Sequence, residues 1–121
     1  MDILVIRISE LLNRLGLTAN YAGYRQLAYA LWLCAEQQDR LLFITKQIYP
    51  DVAKQFDTTR WAVERNCRTV ADIIWRENKT QLEELVHRPL KQKPTNAQLL
   101  AILSASLTQY SFLQGTEKDA G

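Results

Sequence analysis

The sequence predicts an all-α fold of about six helices built around a central helix-turn-helix. Two observations carry that prediction. Apolar residues recur three and four positions apart in several separate segments, the spacing that lines one face of a helix. Between Ile44 and Trp75, a proline, a polar turn and a long uninterrupted stretch outline a short helix, a tight turn and a long helix. At 121 residues with 47% hydrophobic content, the chain has enough apolar material for one core and is too short for two typical domains. The expected division is one helical domain over residues 1–114 and a polar, glycine-containing, disordered tail over residues 115–121.

Ile8, Leu11, Leu12 and Leu15 make the first apolar stripe, which stops at Gly16, and Tyr24, Leu27, Ala28, Leu31, Cys34 and Ala35 make the second. Both are expected to be core helices. Proline fixes its own φ and has no amide hydrogen, so Pro50 suits the first turn of a helix over about 50–56, with Val52, Ala53 and Phe56 facing inward. Asp57, Thr58 and Thr59 carry short oxygen-bearing side chains that accept orphan amide hydrogens. The next helix is therefore expected to start at Thr58 or Thr59 and to run through Trp75. A short helix over about 80–86 follows, then a loop through His87, Pro89 and Pro94. Thr95 and Gln98 have capping-box spacing and open the last helix, whose apolar positions are Leu99, Ile102, Leu103, Leu107 and Tyr110.

The long central helix has two faces. Val63, Cys67, Val70 and Ile74 repeat at helical spacing and point inward, while Trp61, Glu64, Arg65 and Arg68 repeat at the same spacing on another side. That second face has the chemistry of base reading. Arginine donates two parallel hydrogen bonds to guanine O6 and N7, and glutamate accepts from the cytosine amino group.

Charge distribution points the same way. The net charge is +2, and residues 44–76 hold all of the surplus: Lys46, Lys54, Arg60, Arg65, Arg68 and Arg76 against Asp51, Asp57, Glu64 and Asp72. A local excess of this kind favours phosphate contact, with Lys46, Lys54, Thr59, Arg60 and Arg76 as candidates. Lys91 and Lys93 lie beside the start of the last helix, where exposed amide hydrogens also attract anions.

Other chemistries find little in the sequence. His87 is the single histidine and has no companion at metal-ligand or nucleophile-base spacing, no glycine-rich phosphate loop occurs, and the acidic residues are dispersed. No catalytic residue, metal site or cofactor is expected. Cys34 and Cys67 both fall on inward faces, as reduced core thiols. Charged residues interrupt every apolar stretch before a membrane span is reached, and Met1 to Ile8 lacks the pattern of a secretory signal. A cytoplasmic location is expected.

The run Ile44-Thr45-Lys46, Tyr49-Pro50-Asp51-Val52-Ala53-Lys54, Phe56 through Thr59, Val63-Glu64-Arg65, Arg68 and Trp75, with Lys93-Pro94-Thr95-Asn96 later, resembles the C-terminal effector domain of the sporulation stage-zero response regulator. Leu15-Gly16 and Gly23-Tyr24 fall in the same register, so the resemblance covers Ile8 to about Leu107. It implies a wingless, all-helical effector domain of response-regulator type that binds double-stranded DNA, often as tandem copies on adjacent boxes similar to TGTCGAA. It assigns base contacts to Glu64, Arg65 and Arg68, the residues that periodicity places on one face.

Trp61 and Ala62 depart from the family, which commonly has a small polar residue followed by an arginine there, so Trp61 enters the base-contact set as a residue of apolar reach. The region after Trp75, associated in the family with the sigma subunit of RNA polymerase, is shorter by a few residues. The family also places a receiver domain ahead of this one, and only seven residues precede Ile8. The chain is expected to be either an excised fragment or a stand-alone protein under other control.

Two functions follow. One is sequence-specific transcription regulation through Arg65, Arg68 and Glu64. The other is a partner-binding module that keeps the fold and uses Trp61, because tryptophan is enriched among residues that dominate interface energy.

Overall fold

Asp2 opens the first helix of the computed structural model by accepting the Leu4 amide at 2.9 Å. The structure describes residues 2–37, 39 and 43–107, apart from the side chain of Thr45. These form helices α1 (Ile3–Arg14), α2 (Ala22–Glu36), α3 (Tyr49–Gln55), α4 (Arg60–Glu77), α5 (Lys79–Val86) and α6 (96–107), with no strand among the described residues. Tyr110 and the expected tail lie outside them.

α1 starts five residues before its first fully buried residue, Ile8, because Asp2 supplies a cap that the stripe cannot signal. It ends in a Schellman motif: the Leu17 amide bonds to Leu12 O and the Gly16 amide to Asn13 O, both at 3.0 Å, around Gly16 at φ 84°. Buried Ile8, Leu11, Leu12 and Leu15 then face α2. The Trp32 indole N–H of α2 reaches back to Asp2 at 3.4 Å.

α2 buries more than one stripe. Besides Leu27, Leu31 and Cys34, it buries Gly23, Gln26, Ala30 and Leu33, because it packs against α1, α3 and α4 together. A wide buried face of this kind follows from three neighbours rather than from amphipathicity.

A single π turn, Ile44–Ile48, precedes α3 and was not expected from the sequence. Pro50 explains it. The proline has no amide hydrogen to return to Lys46 O, so the ladder widens and the Tyr49 amide bonds instead to Ile44 O. α3 covers 49–55, one residue ahead of the predicted span, and buries Tyr49, Val52 and Ala53.

α4 packs on α2, α3 and α5, with Val63, Cys67, Val70 and Ile74 all buried as the spacing required. The Cys67 thiol is pushed up to about 12 from 9.0, first by burial and then by the nearby Glu64 charge. The folded thiol therefore keeps its proton where the unfolded one loses it. Its contribution to stability is complete below about pH 9 and is lost as pH rises towards 12. The urea midpoint is expected to fall between pH 8 and about 10.5, and to fall less in Cys67→Ala.

At the start of α6 the capping box forms as predicted: Thr95 N donates to Gln98 Oε1 at 2.9 Å, and Gln98 N to Thr95 Oγ1 at 3.1 Å. Leu99, Leu103 and Leu107 are buried, and so are Leu100 and Ser104, so this face is broader than the predicted stripe.

Candidate nucleic-acid interface

The turn between α3 and α4 is closed at both ends by local hydrogen bonds. Thr58 N bonds to Ala53 O at 2.9 Å and Asp57 N to Lys54 O at 3.4 Å, a second Schellman motif, with Asp57 at φ 52° where glycine is more usual. Thr59, in extended conformation, then caps α4 by accepting the Ala62 amide on Oγ1 at 3.1 Å. Two helices joined this tightly leave the outer face of α4 uncovered.

Trp61, Glu64, Arg65 and Arg68 share that face across its first turns. The Arg65 guanidinium has no hydrogen-bonding or ion-pair partner among the described residues, so all its donors are available. Arg68 Nη2 donates to Glu64 Oε1 at 2.7 Å, and both side chains are well exposed. Trp61 is 66% exposed, and the Arg60 guanidinium stacks over its ring at 4.7 Å.

Around this face the structure distributes the phosphate candidates unevenly. Lys54 is exposed in the last turn of α3, and Lys46 is exposed on the π turn. Thr59 is exposed but spends its acceptor on the cap, leaving its O–H to donate. Arg76 lies on the face of Arg65, 11 residues and about 16 Å along the helix, near the C-terminal end of α4. Lys91 is exposed in the connection between α5 and α6. Lys93 differs from the expectation of a free cation: its ammonium is paired with Asp72 of α4, and both groups remain partly exposed.

Residues 8–107 match the family described as sporulation initiation factor Spo0A C terminal. The chain belongs to this family. It is an all-helical family of DNA-binding sporulation regulators and not a family of enzymes. Among the described residues of this Spo0A C-terminal domain, no group of three His, Cys, Asp or Glu side chains is placed to hold a metal ion, and no helix is long and apolar enough to cross a membrane.

Three residues beside the exposed face of α4 have no role that the sequence assigns. Asn96, the first helical residue of α6, donates from Nδ2 to the backbone oxygen of Glu64 at 3.0 Å. Its side chain lines the same groove as Tyr49, whose hydroxyl is pushed up to about 12, first by burial, with the neighbouring Asn96 opposing. Asn66 donates to Gln26 of α2 at 3.0 Å from between Glu64 and Arg68. All three are polar residues at element starts or on a helix flank, positions where sequence alone reads solvent exposure.

Proposed function

We propose that this domain is a sequence-specific transcription regulator that lays α4 in the major groove, with Arg65 and Arg68 on guanines and Glu64 accepting from cytosine. One observation carries the reading. Trp61, Glu64, Arg65 and Arg68 stand together on the uncovered face of the second helix of a helix-turn-helix, while the opposite face is locked in the core. Lys46, Lys54, Thr59 and Arg60, with Lys91 and Lys93 farther off, supply phosphate contacts that set the register. The protein acts in the cytoplasm, as tandem copies on adjacent boxes, and the surface of α5 and the loop after it offers a place for the polymerase sigma subunit.

The test is a titration of the purified protein into a duplex bearing TGTCGAA and into a scrambled duplex, across a salt series. A preference for the box supports base reading. Equal, salt-sensitive binding to both duplexes indicates backbone contact alone, and no binding at low salt removes the proposal. In the same series, Lys54→Ala is expected to weaken both duplexes equally and to lower the salt slope by about 1. Lys93→Ala is expected to lower it by less, because Asp72 competes for that ammonium.

Trp61 favours a second reading as a partner-binding module, since so large an exposed indole is a typical interface anchor. The stacked Arg60 gives the ring a local partner and weighs against it. Trp61→Ala decides the matter by sedimentation and pull-down against candidate regulators. Unchanged association is expected of a DNA reader, and substantial loss of association identifies the module.

A further inference from the structure

We infer that Asn96 is a positioning residue for the reading face of α4, an inference that rests on the DNA-reading function proposed above. The side chain lies where three elements meet, on a groove that Tyr49 at the start of α3 also lines: it is bonded to Glu64 O in the first turns of α4 and belongs to the start of α6 itself. Helix capping does not explain it, because Thr95 and Gln98 already fill the capping box. The bond crosses 32 residues of sequence and ends on a backbone carbonyl, so it constrains the helix and not merely one rotamer.

What it constrains matters for reading. Val63, Cys67 and Val70 hold α4 by apolar contacts, which are non-directional and tolerate a small roll about the helix axis. A roll of about 15° moves a group about 6 Å from the axis by about 1.5 Å, enough to break the geometry of a bidentate base contact. A hydrogen bond at Glu64 O, just ahead of Arg65 and one turn before Arg68, opposes that roll. Tyr49 shares with Asn96 the wall of a groove of about 400 Å³ that Glu64, Arg68 and Lys93 also line.

The test compares Asn96→Ala, Asn96→Asp and Tyr49→Phe by two readouts: the ratio of dissociation constants for box and scrambled duplexes, and amide hydrogen exchange in the free protein. Aspartate matches asparagine in shape and suits a helix start, but as a carboxylate it cannot donate to Glu64 O. Its added charge affects both duplexes and cancels in the ratio.

Asn96→Ala and Asn96→Asp are each expected to lower the ratio about tenfold, and Tyr49→Phe about threefold. Exchange at the Arg68 and Thr69 amides is expected to rise about tenfold while α1 amides keep their protection. An Asn96→Asp protein with wild-type ratio and exchange overturns the inference, as does faster exchange spread evenly over all helices. If the wild type shows no preference between duplexes, the base-reading function fails, and Arg68 exchange alone then decides whether Asn96 holds α4.

Discussion

Arg65→Ala is expected to lower affinity for the preferred duplex by about five- to 150-fold, with little effect on the scrambled duplex, corresponding to about 1–3 kcal/mol for a bidentate guanine contact. Arg65 has nothing to give up on binding, since its guanidinium is unpaired among the described residues. Arg68 must first release Glu64, yet an exposed pair at i,i+4 is worth only about 0.3–0.5 kcal/mol. The guanine contact wins by a wide margin. Arg68→Ala is therefore expected to cost nearly as much as Arg65→Ala, and the Glu64–Arg68 pair acts as a resting position rather than a lock.

Glu64→Ala separates affinity from selectivity. It frees Arg68 and removes a negative charge from the DNA-facing side, which favours binding to any duplex, while it deletes the acceptor for cytosine. Relaxed discrimination with undiminished affinity is the expected result. Competition titrations against duplexes altered one base pair at a time check it, and equal loss on every duplex would remove these three residues from base reading.

The features of this fold that sequence made legible are those closed within a turn or two. Thr59 capping α4, the Thr95–Gln98 box and the inward set Val63, Cys67, Val70 and Ile74 all depend on separations of three or four residues, where spacing and side-chain chemistry suffice. Features that depend on which helices meet were not legible. Asn96 to Glu64 spans 32 residues, Lys93 to Asp72 spans 21, and Gln26 to Asn66 spans 40. The start of α1 is hard to read for another reason: Ile3, Val5 and Ile6 are exposed, so of the apolar residues ahead of Ile8 only the partly buried Leu4 extends the inward stripe. The π turn lies behind Pro50, where the proline removes a ladder bond, whereas the local sequence signal of a proline points ahead to the helix it begins.

Gly23→Ala is expected to destabilise the protein by about 1–3 kcal/mol and to blunt box preference as well. In an ordinary helix the substitution gains helix propensity. Here a methyl group at Gly23 would stand 2.6 Å from the backbone oxygen of Asn66 and 2.6 Å from Val70 Cγ2, and a backbone atom cannot swing aside. α2 and α4 must separate, and the strain enters α4 at Asn66, between Glu64 and Arg68, beside the Gln26–Asn66 hydrogen bond.

Gly16→Ala is the control for that argument. It places a side chain at φ 84° and 2.2 Å from Asn78 Nδ2, which costs about 1–2 kcal/mol in backbone strain. Asn78 caps the far end of α4, away from the reading turns. Both variants are expected to lower the urea midpoint while remaining folded, and only Gly23→Ala is expected to lower the ratio between box and scrambled duplexes. Equal ratios in the two proteins would mean that the α2–α4 contact supports stability alone and that the reading face does not depend on how closely these helices approach.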